Sequence, residues 1–220
     1  MQEEPKCYHV LMGDITGSSK LEGQSSSESL IHATQEVNSR FKDEILSPFT
    51  VTLGDEFQGI TRSATAALNT VFTLQQMTRL GLLPALHYSW VFGPIDTDIN
   101  PEIAHGMLGP ALSDARRQLT RKDRDRPEIH VELFDLDLTG IMKNTLRAMH
   151  DISNRWKPED FDLIEDLLGE TPITEVAKLH DRDTSSVYRR RETLMTETYK
   201  ALEIAALSAA IKHDTEFGNA

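Results

Sequence analysis

Two aspartates, Asp14 and Asp55, follow short apolar segments at residues 7–12 and 49–53, each directly after a glycine. Two carboxylates held close together repel each other, and a hard divalent cation removes that repulsion. Mg²⁺ takes oxygen ligands and is commonly held by one or two carboxylates together with substrate phosphates. A pair of such ions clamps an in-line phosphoryl transfer. The two aspartates therefore predict a site for Mg²⁺ (or Mn²⁺), although turn formation alone also accounts for an aspartate at each place.

The segment after the first aspartate carries groups that suit phosphate oxygens. Gly17 allows backbone N–H groups to approach an anion closely. Ser19 and Glu22 have the spacing of a capping box, and a helix N-terminus there would favour negative charge. Lys20 is either a phosphate contact or a solvated loop lysine. The predicted nucleotide-binding residues of this segment are Gly17, Ser18, Ser19 and Lys20.

The elements that must position the aspartates follow from hydrophobic periodicity. It predicts helices at 27–46, 63–80 and 110–119, and strands at 7–12, 49–53, 57–60, 86–92 and 128–132. The order β-α-β-β-α-β-α-β is typical of a ferredoxin-like α+β fold with an extra helix and strand, that is, an antiparallel sheet with flanking helices. In such a sheet the first strand lies beside the hairpin formed by the second and third strands. We therefore expect the two carboxylates to meet at one edge of the sheet.

The last third of the chain has helical patterns and no strand pattern. Helices are predicted at 156–168 and 171–180, with a third beginning at Thr184. Ala177 is small where two helices would cross, Val187 is apolar ten residues later, and Asp181 takes the place of the usual turn glycine. This spacing predicts a helix-turn-helix that contacts DNA. The predicted DNA contacts are Thr184, Ser185, Ser186, Tyr188, Arg189 and Arg190.

Other readings of this region stay open. A helical hairpin used only for packing or dimerization has the same pattern. The segment 198–211 is rich in alanine and leucine, and we interpret it as a helix that joins two copies of the chain. The predicted organisation is a metal- and nucleotide-binding domain at 1–150 and a helix-turn-helix with a C-terminal helix at 151–220.

Composition narrows the class of protein. A net charge of -12 over 220 residues argues against a protein that coats nucleic acid over its whole surface, but it allows a small local DNA-reading element. The single cysteine, Cys7, excludes an intrachain disulfide and a cysteine-rich zinc cage. No apolar run approaches the roughly 20 residues that span a bilayer, and no apolar signal core follows the acidic start. We expect a cytoplasmic protein that does not bind membranes.

Several motifs resemble known families. Residues 13–18, GDITGS, resemble the first metal motif of class III nucleotidyl cyclases, and residues 53–57, LGDEF, resemble the hairpin motif shared by those cyclases and GGDEF domains. Over most of its length the chain resembles the SatD family still more closely. The segments that carry this second resemblance are 14–18, 53–59, 97–102, 106–111 and 115–116.

The cyclase resemblance implies a palm fold, a tendency to dimerise, and roles for individual residues. It implies Asp14 and Asp55 as metal ligands, with the backbone carbonyl of Ile15 as a further ligand. Arg116 lies in a helix like the one that bears the transition-state arginine of cyclases, which implies Asp14, Asp55 and Arg116 as catalytic residues and Arg116 as a nucleotide contact. One turn before this arginine cyclases carry an asparagine, and here the residue is Leu112. This departure weighs more against cyclization than against metal and nucleotide binding.

Three functions are consistent with these observations. The first is a nucleotide-responsive DNA-binding protein, a transcriptional regulator whose palm domain binds a nucleotide (an NTP or a cyclic or oligonucleotide) with Mg²⁺ and whose homodimer presents two helix-turn-helices to DNA. The second is a nucleotidyl cyclase or nucleotidyltransferase that acts on NTP. The third is a degenerate palm that serves only as a dimerization scaffold.

Overall fold

The computed structural model describes residues 6–17, 23–52, 54–121 and 127–218. Three of the predicted nucleotide contacts, Ser18, Ser19 and Lys20, lie outside the described residues, as does Leu53 of the hairpin motif. Within the described ranges, no helix has both the length and the apolar composition needed to cross a membrane.

Five strands form one sheet in the order β2-β3-β1-β4-β5. The first four pair antiparallel, which confirms the predicted core of the fold. The fifth strand pairs parallel with β4, so the sheet is mixed and the prediction of an antiparallel sheet was wrong at this edge. Parallel neighbours need a long crossover connection, and the chain between β4 and β5 supplies one that contains a helix. The strands are β1 (Cys7–Ile15), β2 (Ile45–Val51), β3 (Glu56–Thr61), β4 (Leu86–Pro94) and β5 (Ile129–Glu132).

Eight α-helices accompany this sheet in the part of the chain that the structure describes. They are α1 (Gly23–Arg40), α2 (Ala64–Arg79), α3 (Pro110–Leu119), α4 (Leu136–Ser153), α5 (Phe161–Leu168), α6 (Ile173–Leu179), α7 (Thr184–Leu194) and α8 (Thr196–Phe217).

The first helix is shorter than its sequence pattern predicts. Ile45 continues the apolar spacing of α1, which led to a predicted end at residue 46, yet it pairs with Thr61 of β3 as the first residue of β2. The side chain of Asn38 holds the turn between helix and strand, since its amide donates to the carbonyl of Phe49 (2.9 Å) and its oxygen accepts from the N–H of Phe49 (2.8 Å). Sheet pairing therefore overrides the local helical pattern.

The sheet separates two hydrophobic cores because successive side chains on a strand point to opposite faces. Leu11 and Ile15 of β1 face a large core that contains residues of α1, α2 and the helices from α4 onward. Val10 and Met12 face a smaller core covered by α3 and the loop before it. The C-terminal helices thus share a core with the sheet. The division into domains at 1–150 and 151–220 stays a prediction.

Hydrogen bonds connect helix α8 to the start of α2. The carboxylate of Asp214 accepts hydrogen bonds from the N–H of Ala64 (2.5 Å), the N–H of Thr65 (3.0 Å) and the hydroxyl of Thr65 (2.6 Å). The hydroxyl of Ser63 accepts from the N–H of Ala66 in the same turn. The first N–H groups of a helix have no partner inside it, so Asp214 satisfies donors that the helix leaves open.

Candidate functional site

Three acidic residues lie together at the end of β1 and the start of β3. Asp14 is directly opposite Glu56 in the antiparallel register, and the N–H of Ile15 donates to the backbone carbonyl of Asp55 (2.9 Å). Asp14 and Asp55 are half-buried, whereas Glu56 is only 7% exposed. As the strand order led us to expect, the hairpin and the first strand bring the two aspartates to one edge of the sheet.

Local backbone requirements explain the glycine before each aspartate. A Cβ atom on Gly13 would lie 2.4 Å from the ring of Phe57, so only glycine fits in β1 next to Asp14. Gly54 has φ +82°, a conformation that glycine adopts without strain, and it turns the chain toward Asp55. The packing of Phe57 and the hairpin turn therefore place both carboxylates.

Helix α3 brings Arg116 to this acidic group. Its guanidinium Nη2 lies 2.6 Å from Oε1 of Glu56. The buried side chains of Ala111 and Ala115 seat the helix on the face of the sheet that carries the smaller core. Leu112, one turn before Arg116, is buried in that core, so the position where cyclases carry an asparagine serves packing here.

Charges of both signs act on Glu56. Burial raises the pKa of the Glu56 carboxyl, Arg116 lowers it, and the negative charges of Asp14 and Asp55 raise it further, with a net upward shift. In the described part of the chain, the carboxyl groups of Asp14, Asp55 and Glu56 thus lie near the guanidinium of Arg116. A cation bound at this edge would relieve the repulsion that remains, which is the condition that favours a metal ion.

The donor set fits a magnesium ion that keeps water and phosphate ligands. Asp14, Asp55 and the carbonyl of Ile15 offer hard oxygen ligands, and Mg²⁺ needs only one or two carboxylates from the protein. The carboxylate oxygens of Asp14, Asp55 and Glu56 do not all lie within 4.8 Å of one another in the described structure. An all-protein cage is therefore not preformed, and the ion's remaining ligands would be phosphate oxygens and water.

The described residues contain one group of three side chains with closely spaced ligand atoms: His9, His213 and Asp214. Its hydrogen bonds argue against a metal ion. The indole N–H of Trp90 donates to Nδ1 of His9 (3.1 Å), so a neutral His9 carries its proton on Nε2, the atom 4.0 Å from Asp214. A nitrogen that binds metal must be unprotonated. We interpret the group as a contact between α8 and β1.

The predicted helix-turn-helix residues form α6, a short turn and α7. Val176, Ala177 and Val187 are buried, which confirms the prediction that these positions face the interior. Asp181 has φ +49°, the left-handed conformation that aspartate tolerates better than most residues. Asp183 begins α7 by accepting from the N–H of Ser186 (3.0 Å).

The predicted DNA contacts differ in their exposure. Ser185, Tyr188 and Arg189 are exposed, whereas Thr184 and Ser186 are half-buried. Arg190 faces inward, where its guanidinium pairs with Asp160, a carboxylate at the start of α5 that is 4% exposed. This pair was not predicted from the sequence, since no spacing rule links residues 160 and 190. The structure thus leaves Arg189 as the exposed arginine of the predicted contacts.

Comparison with solved structures finds likeness over part of the chain. The crystal structure of the guanylyl cyclase Cya2 is 15% identical with a TM-score of 0.35, and covers 53% of this chain and 71% of its own. A bacterial light-regulated adenylyl cyclase is 15% identical with a TM-score of 0.43, and covers 59% of this chain and 44% of its own. No curated protein sequence matches significantly. The family model described as the SatD family matches residues 8–201, so this chain belongs to the SatD family.

Proposed function

We propose that this protein is a nucleotide-responsive DNA-binding regulator. The observation that carries the proposal is the acidic edge of the sheet, where Asp14, Asp55 and the buried Glu56 meet Arg116. Acids for a metal ion and a cation for a phosphate adjoin each other there. The exposed face of α7 is the second part of the proposal, because it presents Ser185, Tyr188 and Arg189 to a partner.

At the acidic edge, Asp14 and Asp55 would hold Mg²⁺ or Mn²⁺ together with the carbonyl of Ile15. The ion would neutralise phosphate charge and orient the nucleotide. Gly17, with φ +71°, would offer its backbone N–H to a phosphate oxygen. Arg116 would exchange its contact with Glu56 for a phosphate, so nucleotide binding would change how α3 packs on the sheet.

At the DNA interface, a homodimer would present two α7 helices to successive major grooves, about 34–36 Å apart. Arg189 would contact phosphate or guanine, and Ser185 would contact a base edge or phosphate. Helices α5 and α8 flank this unit and share the large core with the sheet, which offers a route from the nucleotide site to the DNA helices.

A nucleotidyl cyclase or nucleotidyltransferase is the second candidate, and the position of Arg116 beside the acids favours it. In that case Arg116 would offset the charge that develops on the phosphate in the transition state. Incubation with the four NTPs and Mg²⁺ or Mn²⁺, followed by chromatography of the products, tests this function. Identical traces from the wild type and Asp55→Asn would rule it out.

Thermal unfolding of the full chain tests nucleotide binding. The melting temperature is measured with each NTP, with and without Mg²⁺, for the wild type and for Asp14→Ala and Asp55→Asn. A ligand at a hundredfold excess over its dissociation constant stabilises the folded state by about 2.7 kcal/mol. We expect a metal-dependent rise that both variants lose, while Asp43→Asn, at an exposed acid elsewhere, keeps it. If no nucleotide raises the melting temperature, the palm serves only as a dimerization scaffold.

Electrophoretic mobility shift on the promoter region of the protein's own gene tests DNA binding. The assay is run at low salt with and without the nucleotide that the melting experiment identifies. We expect sequence-dependent retention that changes with the nucleotide. Retention of no DNA, or of every DNA equally, would contradict the proposed regulator.

A further inference from the structure

A cavity of about 390 Å³ lies between β5, the outer strand on its side of the sheet, and the C-terminal half of α4. Residues 127–130 form the wall on the strand side. The helical wall carries Lys143, Arg147 and His150, whose spacing of four and three residues places them on one face of α4. His130 of β5 also lines the cavity, so basic residues from two separate elements meet there.

Two of these basic side chains have no acidic partner. Lys143 and Arg147 are both exposed, and in the part of the chain that the structure describes neither forms an ion pair with a carboxylate. By contrast, Arg79, Arg116 and Arg190 each pair with a carboxylate. The positive charges of Lys143 and Arg147 are therefore available to a ligand in the cavity.

The same positive charge acts on the strand side of the cavity. Burial lowers the pKa of His130, and the charges of Lys143 and Arg121 lower it further, against a hydrogen bond to Glu132 that raises it. Lys143 thus lies close enough to act on the opposite wall. An anion placed between the two walls would be attracted by the helix and would also favour protonation of His130.

Two acids line the cavity as well, and one of them is already paired. Nδ1 of His150 lies 2.5 Å from Oε2 of Glu128, and this hydrogen bond raises the pKa of His150. Glu128 and His150 therefore offset each other. The second acid, Asp151, is exposed at the end of the helical wall. Its single negative charge is smaller than the combined charge of Lys143 and Arg147, so the lining favours an anion.

The lining also offers uncharged contacts for the remainder of a ligand. The carbonyl of Glu128 accepts from the N–H of Tyr88 (2.8 Å), so the N–H of Ile129 in the same trans peptide unit points away from β4, toward the open edge of the sheet. Asn144 lines the cavity with a side-chain amide, and Pro127 lines it with an exposed ring. The volume is within the range of small-molecule sites, at about 300–1,000 Å³.

We propose that this cavity binds a small phosphate monoester, such as a sugar phosphate, without a metal ion. Arg147 and Lys143 hold the phosphate dianion through charge-assisted hydrogen bonds, and the fork of N–H donors on arginine matches phosphate oxygens. Asn144 hydrogen-bonds to a hydroxyl of the organic part. The site goes beyond the function proposed above, because cations of α4 hold the ligand and Asp14 and Asp55 take no part.

Calorimetric titration into the full chain in EDTA tests the proposal, with ribose 5-phosphate, inorganic phosphate, ribose and succinate as probes. We expect ribose 5-phosphate to bind at least tenfold more tightly than each of the other three. Lys143→Gln and Arg147→Gln should each weaken its binding tenfold or more. Asp151→Asn should strengthen it twofold or more, because a negative charge is removed. Lys157→Gln, at an exposed lysine that pairs with Glu159, should leave it unchanged.

Two further measurements keep the outcome decisive. The bound dianion should raise the pKa of His130, followed by NMR of the ring protons, because it offsets the charge of Lys143, while the ring signals of the exposed His32 should not move. Asp55→Asn should bind ribose 5-phosphate like the wild type even where it loses NTP and Mg²⁺ binding, so the two sites can fail separately. No saturable heat from ribose 5-phosphate, equal binding of succinate or inorganic phosphate, or wild-type affinity in folded Lys143→Gln and Arg147→Gln would overturn the proposal.

Discussion

Arg190 of α7 and Asp160 at the start of α5 form a two-point ion pair in which Nε lies 3.0 Å from Oδ1 and Nη2 contacts Oδ2. Asp160 is buried, and the guanidinium of Arg190 is its ion-pair partner. The pair fixes the orientation of α7 against the remainder of the protein. Two adjacent arginines of one predicted DNA-contacting helix therefore have different roles: Arg190 holds the helix, and Arg189 is exposed to a partner.

Replacing each of these arginines separates stability from DNA binding. Arg190→Ala leaves a buried carboxylate without its cation, and we expect it to lower the free energy of unfolding by about 2 kcal/mol or more. This loss is smaller than the loss expected when both partners of an ion pair are buried. Arg189→Ala should change that free energy by less than about 0.5 kcal/mol. It should weaken DNA binding and reduce the slope of log affinity against log salt by about 0.9. Urea unfolding measures the change in stability, and mobility shifts at several salt concentrations measure the change in DNA binding. Equal effects of the two substitutions on stability would contradict the different roles of Arg189 and Arg190.

Because Arg116 forms an ion pair with Glu56, we expect a metal ion to take the place of the arginine when the arginine is removed. Arg116→Ala removes the cation that pairs with Glu56, and we expect a loss of stability of about 1 kcal/mol, because the arginine is partly exposed. Mg²⁺ should then raise the melting temperature more in this variant than in the wild type. Arg117→Ala is the matched control, since Arg117 is exposed and pairs with Asp114 one turn away. A Mg²⁺ response equal to that of the wild type would argue against a cation site at this edge.

Removing the cap that α8 provides should loosen the start of α2. Asp214→Ala leaves the N–H groups of Ala64 and Thr65 without their acceptor, and loss of such a cap costs about 1–2 kcal/mol. Glu216→Ala, which removes an exposed pair with Lys212 on the same helix, should cost less than about 0.5 kcal/mol. Urea unfolding compares the two variants. Hydrogen exchange should show faster exchange in the first turn of α2 only for Asp214→Ala.

Stability should fall as the pH drops below the pKa of an unperturbed histidine. Burial lowers the pKa of His9 well below its usual value, and burial also lowers the pKa of His213. The unfolded chain then binds protons that the folded chain does not, so stability is present at pH 7.5 and is lost progressively through about pH 6.5 and below. Each such proton contributes up to about 1.4 kcal/mol per pH unit.

Replacing His213 by phenylalanine isolates this effect. The ring of His213 packs against Phe92 and Phe217, and neither of its nitrogens has a hydrogen-bond partner among the described residues. His213→Phe should therefore keep the packing and flatten the decline of stability between pH 7.5 and 5.5. His32→Gln, at an exposed histidine, should leave the wild-type slope. An unchanged slope in His213→Phe, measured by urea unfolding at several pH values, would contradict this account.

Local sequence determined most of the elements of this protein and the placement of two groups of predicted residues. The alternation of apolar residues in β1, the turn at Gly54 and the apolar spacing of α6 and α7 are short-range signals, and they predicted the strand order up to β4, the meeting of Asp14 with Asp55, and the buried faces of Val176 and Val187. The turn at Gly54 and the buried faces of α6 and α7 depend on neighbours within about ten residues. The pairing of β1 with β3 is long-range, and it was predicted from the order of the strands and helices along the chain.

Tertiary structure decided what depends on partners distant in the chain. Pairing with β3 ended α1 before Ile45, and the crossover through α3 set β5 parallel to β4. Packing between separate helices turned Arg190 toward Asp160 and brought Asp214 to the start of α2. No periodicity encodes such contacts, because each is chosen by the free energy of packing separate elements into shared cores.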